Sequence, residues 1–520
     1  MSAPLLLALD QGTQSARALL FDARGQLVAR ARQPVEPYWS GPPGEAEQDA
    51  EHFWWGLGEA CQALWRAHPQ LKERVQAVAL TTQRASVVCL DREYRPLRPA
   101  IIWLDRRRAA DYPELPWYWR WGVALLGQGG TLRQFRGKAE CNWLAEREPE
   151  LWRRTEHFVL LSGFLTWKLC AVLKDCTASQ VGYLPFDYRR RQWARPGDLK
   201  WQALRVRREQ LPELVPPGQP LGRISAEAEA HTGIPAGLPL IACGADKACE
   251  VLGSGALSPD IGHVSYGTTA TFNTSNRRYV EPYPFVPAYG AAAPDYYTSE
   301  IIVQRGYWLV EWFKREFAAE EVQRAERQGV AAEALFDELL DQSPPGALGL
   351  MLQPFWNPGV RFPGPEAKGA ILGFGDAHDR AHLYRAIVEG IAYALKDGQE
   401  RLQKRNRSPV RELRVSGGGS QSDRILQITA DIFDLPVVRP HTFETSGLGA
   451  AINAAVGTGL YPDHERAVAA MTHPGPRFEP RAGHRDTYQQ LYHRVYRRIY
   501  PRLSGLYREI RAITGYPADL

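Results

Sequence analysis

An apolar run, Leu5-Leu6-Leu7-Ala8-Leu9, stops abruptly at Asp10-Gln11-Gly12-Thr13-Gln14-Ser15-Ala16-Arg17, and a second, Ala18-Leu19-Leu20-Phe21, follows at once. Two short apolar runs around a polar, glycine-bearing turn read as a β-hairpin. The turn holds the parts of an anion and metal site. Asp10 is a carboxylate at a strand end, Gly12 lets backbone approach an anion closely, Thr13 and Ser15 bring hydroxyls, and Arg17 brings a guanidinium fork. Alone, such a turn equally suits an ordinary polar hairpin. Three later segments add to it. His263-Val264-Ser265-Tyr266 runs through Gly267-Thr268-Thr269 into Ala270-Thr271-Phe272, the same plan of apolar strand, Gly-Thr turn and apolar strand. Leu413-Arg414-Val415 enters Ser416-Gly417-Gly418-Gly419-Ser420 ahead of a helical stretch, so a glycine run meets a helix N-terminus, which favours phosphate. An apolar strand at 239–243 stops at Gly244-Ala245-Asp246-Lys247, a second carboxylate at a strand end. The glycine run is not a Walker loop, because no Lys-Ser/Thr follows at the required spacing. It also lacks G-x-G-x-x-G and the pairing acid of a dinucleotide fingerprint.

The elements that must position these groups alternate between strand-like and helix-like, which predicts an α/β class. Residues 49–67 have helical spacing, 75–81 read as a strand leading into Thr82-Gln83-Arg84-Ala85-Ser86, and 87–90 and 99–103 read as further strands. Residues 142–153, 158–169, 248–254, 421–433, 383–403, 445–459 and 488–510 read as helices. The repeated strand–turn–strand plan suggests a duplicated fold with one phosphate hairpin per lobe. At 520 residues the chain exceeds the ~250–300 at which single cores stop growing, and the best boundary lies at 255–260.

Composition narrows the class. The chain is 44% hydrophobic and 23% charged, which is globular and not disordered. A net charge of +5, from 63 basic and 58 acidic residues, argues against a dedicated nucleic-acid binder. Arg106-Arg107-Arg108 and Arg189-Arg190-Arg191 are short basic clusters, the second reading as a solvated turn. Seven cysteines with no C-x-x-C suggest reduced thiols and a cytoplasmic setting. Cys243 and Cys249 read as packing residues. No run reaches the ~18–20 apolar residues of a membrane span, so neither membrane nor nucleic acid is an expected partner.

Together these segments resemble the FGGY carbohydrate kinases, the glycerol, xylulose and ribulose kinase group. The carrying motifs are residues 10–17, Trp103-Leu104-Asp105-Arg106-Arg107, Gly244-Ala245-Asp246, residues 266–269 and residues 416–420, supported by Gly369-Ala370-Ile371-Leu372-Gly373 and the helices after it. The resemblance implies two actin-like (ribonuclease H-like) lobes around an ATP/sugar cleft: an N-terminal, sugar-binding lobe at 1–255, and a C-terminal, nucleotide-binding lobe at 256–520 with a closing C-terminal helix. It implies ATP and Mg²⁺, with Asp246 as the base for the attacking hydroxyl and Asp10 facing the metal through water. Thr13, Gln14, Ser15 and Arg17 would bracket the β- and γ-phosphates with Gly267 and Thr268. Gly306, Gly418, Gly419 and Ser422 would meet the phosphate tail, ribose and adenine, although Ser422 equally suits a helix's first turn.

The acceptor side, Gln83, Arg84, Trp103, Asp105, Phe135, Asp246 and Lys247, departs from its relatives. Glycerol kinases carry a carboxylate where this chain has Ala85, Tyr where it has Phe135, and Gln where it has Lys247; the Met-His pair typical of xylulokinases is also missing. Glycerol would therefore be poorly held. Lys247 either meets a carboxylate or ketose oxygen of the substrate, or pairs with Glu250 or Asp105. A pentulose or polyol is the expected substrate, with glycerol or a sugar acid as alternatives. An actin-like ATPase or a catalytically silent regulatory relative are the alternatives in kind; the acceptor-side cluster argues against the first and the intact Asp10 and Asp246 against the second. Relatives form dimers or tetramers, so a homodimer is compatible with the resemblance.

Overall fold

Leu5–Gln11 and Ser15–Asp22 pair antiparallel, with Asp10 opposite Arg17, and every residue of the first strand is buried. Such a run, apolar throughout, suits a strand covered on both faces. Leu27–Pro34 adds a third antiparallel strand. On its other edge Leu5–Gln11 pairs parallel with Val75–Thr82, which pairs parallel with Pro239–Ala242, and Pro220–Arg223 closes this six-stranded sheet antiparallel. The computed structural model describes residues 4–35, 39–41, 44–357, 359 and 362–516.

The second half repeats the plan. Ile261–Tyr266, Ala270–Asn276 and Tyr297–Val303 form an antiparallel meander, and Ile261–Tyr266 pairs parallel with Glu412–Ser416. Val437–Pro440 follows parallel, Pro474–Phe478 antiparallel, and Tyr289–Gly290 lies on the opposite edge, giving seven strands. Both sheets thus place a hairpin turn beside the carboxyl ends of parallel strands, where α/β sheets open a crevice for ligands.

Two helices join the halves. Asp246–Gly253 packs on Thr445–Gly457 so closely that a Cβ on Gly449 would lie 2.0 Å from the Cys249 carbonyl oxygen, and one on Gly253 would lie 2.0 Å from that of Thr445. Thr445–Gly457, although late in the chain, covers the first sheet: a Cβ on Gly447 would meet Leu19 at 2.2 Å. Leu448, Ile452 and Ala455 share one apolar cluster with Leu6, Phe21 and Ile241.

Several expected elements differ in extent. The apolar stretch read as one helix at 158–169 divides into the strand His157–Leu160 and the helix Leu161–Cys170. The helix expected at 142–153 is two, Glu140–Arg147 and Pro149–Arg154. The closing helix is interrupted: Ala482–Leu491 passes through a π turn at Tyr492–Tyr496 into Arg497–Thr514. The Arg189-Arg190-Arg191 turn is more than a solvated face, since Arg189 lies 5.0 Å over Tyr279 and Arg191 4.8 Å over Tyr297. All seven cysteines are buried and unpaired. No helix among the described residues is long and apolar enough to cross a membrane.

Candidate active site

Asp10 and Asp246 stand at strand ends of the same sheet. Thr81, beside Asp10 in the register, donates its hydroxyl to the Gly244 carbonyl at 3.0 Å, which ties the turn before Asp246 to the middle strand. Gly244 is held at φ +104, a backbone conformation that glycine tolerates, and a Cβ there would lie 2.9 Å from the Ala178 methyl. Asp246 then opens the helix Asp246–Gly253.

Both carboxyls are shifted upward. Burial pushes Asp10 to about 6 against the pull of Arg17, and the negative charge of Asp246 adds to the rise. Arg17 approaches Asp10 at 3.4 Å and Glu444 at 2.8 Å. Burial also raises Asp246, opposed by Arg84, by Lys247 and by the Lys247 N–H, which donates to it at 2.7 Å. A carboxylate raised by desolvation and flanked by cations is a suitable base for an alcohol.

The first hairpin turn is linked to the expected acceptor wall. Gly12 N–H donates to Ser15 O at 3.0 Å, Thr13 donates its hydroxyl to Gln83 at 2.7 Å, and Trp103 donates its indole N–H to Thr13 at 2.9 Å. Ser15 is buried, and Gln14 is exposed at the tip. The buried Gln83 amide nitrogen and the Gln11 side-chain oxygen have no hydrogen-bond partner among the described residues.

In the second half, Gly267 O accepts from Tyr307 N–H at 3.0 Å, and Gly306 packs under the hairpin, where a Cβ would lie 2.3 Å from Ala270 N. Gly419 faces the Tyr307 ring, which a Cβ would meet at 2.3 Å, whereas a Cβ on Gly418 would find nothing nearer than 4.0 Å. Gly418 is therefore the open position of the loop, and Gly419 is needed for packing. Ser422 caps the helix Asp423–Phe433 and gives its hydroxyl hydrogen to Asp337, so the helix-turn reading describes its contacts here.

The acceptor side combines expected and unexpected residues. Arg84 makes a two-pronged pair with Glu300, at 3.1 and 3.0 Å, across 216 residues of chain, and lies 5.6 Å over the Tyr289 ring. Burial opposes the charge on Arg84, yet Glu300 and Asp246 hold it above its usual range. Phe135 packs edge-on against Tyr183 at 5.9 Å. Asp105 faces inward to its own loop: its oxygens accept from Ala46 N–H at 2.8 Å and from Arg107. Lys247 pairs with Glu250 at 2.6 Å and with Ser265 at 2.7 Å, so of its two expected roles the pairing with Glu250 is the one made. Glu250 also accepts from Ser265 at 2.8 Å and Ser416 at 2.6 Å. These bonds tie the helix of Asp246 to the strands that carry both phosphate-type loops of the second half. Burial disfavours the charge on Glu250, but Lys247, His263 and the serine hydrogen bonds hold it down at about 2.

Sequence reasoning missed Glu300, Tyr289, Tyr183 and the serine partners of Glu250, Ser265 and Ser416. Glu300 had a local signal, a lone acid inside the otherwise uncharged strand Tyr297–Val303. The described residues contain no group of three or more His, Cys, Asp or Glu that could hold a metal.

The FGGY family of carbohydrate kinases matches along most of the chain, its N-terminal domain over residues 5–253 and its C-terminal domain over residues 262–458. The chain belongs to that family. It is similar to a xylulose kinase of Lactococcus lactis, 27% identical over 90% of this chain and 91% of the relative. A glycerol kinase of Dechloromonas aromatica is 30% identical over 91% and 93%. The crystal structure of ligand-bound xylulose kinase from Lactobacillus acidophilus superposes with a TM-score of 0.81 at 21% identity, covering 97% of this chain and 99% of that one. The fold is the two-lobed, actin-like α/β architecture, and the protein is an ATP-dependent carbohydrate kinase that phosphorylates a sugar or polyol.

Proposed function

We propose that Asp246 is the general base that takes the proton of the acceptor hydroxyl as that oxygen attacks the γ-phosphate of ATP. The observation that carries this reading is the meeting, at one strand-end crevice, of a buried, upward-shifted carboxyl with Arg84 and with strands leading to three phosphate-type loops. Phosphoryl transfer needs positioning and charge neutralisation more than covalent chemistry from the protein. Thr13, Gln14, Ser15 and Arg17 would hold the β- and γ-phosphates against Gly267 and Thr268, with Arg17 turning from Asp10 and Glu444. Gly306, Gly418 and Gly419 would border the nucleotide, with Ser422 holding the helix behind them. Gln83, Arg84, Trp103 and Phe135 would line the acceptor, Arg84 being held in place by Glu300.

Asp10 suits Mg²⁺. Its buried carboxyl has one cationic neighbour, Arg17, and is pushed up to about 6, so it lacks positive charge. Mg²⁺ keeps several waters and binds through one or two carboxylates plus phosphates. Bound there, it would neutralise charge on the transferring phosphoryl group. The reading is tested by measuring acceptor-stimulated ATP consumption with and without Asp246→Asn. Stimulation lost in the variant, with ATP still bound, supports it; equal stimulation in both overturns it.

A further inference from the structure

Around Asp246 the charges are matched. Arg84 pairs with Glu300, Lys247 with Glu250, Arg17 and Arg30 with Glu444, and Arg98 and Arg107 with Glu47, Asp105 and Glu148. Three cations stand apart. Arg106, Arg108 and Lys138 make no ion pair and no side-chain hydrogen bond among the described residues, although the Glu140 charge acts on Lys138. Arg108 and Lys138 flank a backbone hydrogen bond, Ala109 N–H to Gly137 O at 2.7 Å, which sets the two residues side by side. The half-buried Lys138 ammonium is held below its usual range by burial and by the repulsion of Arg108 and Arg106. Glu140 nearby does not pair with it; burial pushes that carboxyl up to about 7, so it cancels only part of the positive field at neutral pH.

This cluster continues the acceptor wall. Lys138 ends the helix Gly129–Lys138 one turn beyond Phe135, and Phe135 packs on Tyr183. The neighbouring Gly182 lies against Ala85, 3.9 Å from where its Cβ would stand, and Ala85 follows Arg84. Glu140 acts on Tyr183 most strongly of the neighbouring charges, Tyr289 follows, and Arg108 opposes them. The wall therefore runs from a carboxylate base at Asp246, past the rings of Tyr289 and Tyr183, to a cluster in which Lys138, Arg108 and Arg106 outnumber Glu140.

We propose that the acceptor is an anionic sugar derivative, a polyhydroxylated chain whose carboxylate or phosphate ester lies against Lys138 and Arg108 while a hydroxyl at its other end meets Asp246. This rests on the kinase reading given above. A fork and an ammonium, both unpartnered, suit a planar or tetrahedral oxyanion, and a substrate that fills them relieves the repulsion within the cluster.

The test is steady-state kinetics on matched triplets of three to six carbons: an alditol, the aldonic acid of the same length, and the alditol phosphate. The expected result is that one anionic member exceeds its neutral counterpart at least tenfold in kcat/KM, with KM rising as salt is added. Which member wins separates carboxylate from phosphate ester. Lys138→Met and Arg108→Met, made separately, should each raise KM for that acceptor tenfold or more while KM for ATP holds. Preference for a neutral polyol or ketose, or variants that shift KM for ATP instead, overturns the inference and leaves the kinase reading standing. ATP consumption that no compound stimulates overturns both.

Discussion

Replacing Asp10 by Asn should stabilise the ligand-free protein while disabling it. Asp10 is 3% exposed, and burial moves its carboxyl from 3.8 to about 6. Each pKa unit is worth about 1.4 kcal/mol, so holding the ionised form in the fold costs about 3 kcal/mol at neutral pH. The sign follows from the direction of the shift. A folded pKa above the unfolded one favours the protonated form, so the Asp10 contribution is most favourable below pH 3.8 and is lost as pH rises through about 6. Asn mimics the protonated carboxyl at every pH. Asp10→Asn should therefore unfold at higher temperature than the parent at pH 7.5, by a few degrees, and the gain should shrink to nothing towards pH 4. The offset is the loss of Arg17 pairing at 3.4 Å, which leaves Arg17 with Glu444 alone. Thermal scans of both proteins at several pH values, without nucleotide, read this directly. Addition of Mg²⁺ and ATP should then raise the parent more than the variant, since the parent alone offers the metal a carboxylate. A variant less stable at pH 7.5, or a gain that does not change with pH, would refute the electrostatic account of Asp10.

Other consequences are equally open to measurement. Glu300→Gln leaves Arg84 without its buried partner; breaking such a pair costs about 3–5 kcal/mol, and acceptor KM should rise at least tenfold, whereas unchanged KM and melting would show that the pair is incidental. Gly418→Ala should fold with the parent's stability, and Gly419→Ala should lose several degrees because its methyl meets the Tyr307 ring at 2.3 Å; equal melting of the two would contradict the packing described. Glu250→Gln should lower stability and kcat across pH 5–8 alike, since Glu250 is ionised throughout that window with its carboxyl at about 2; an effect confined to one end of the range would count against it.

What could be read from the sequence was what is local. Both hairpins, the Gly244 turn and the glycine loop are carried by consecutive residues and lie where expected, although the return strands Ser15–Asp22 and Ala270–Asn276 run beyond the apolar stretches 18–21 and 270–272. The helix boundary at Leu161 was hidden because an unbroken apolar run has the same look in a buried strand and a buried helix. The π turn at Tyr492–Tyr496, whose first residue stacks 6.0 Å from Tyr393, has no counterpart in any period of the sequence. In the site, the turn residues were legible and their partners were not. Arg84 with Glu300, Glu250 with Ser416 and Arg17 with Glu444 join positions 216, 166 and 427 apart, and only the folded sheets bring them together. Lys247 was legible in part: Glu250 lies three residues on in the same helix, whereas Ser265 lies on a strand of the other half of the fold.

The central claim, that Asp246 activates a small-molecule hydroxyl for attack on ATP, is tested most directly by coupled ATP consumption against a panel of polyols, ketoses and sugar acids, with Asp246→Asn run in parallel. The account predicts strong stimulation by at least one compound and a loss of about 10²- to 10⁴-fold in kcat in the variant, with ATP affinity retained. Stimulation that survives in Asp246→Asn, or ATP turnover indifferent to every compound, would contradict it.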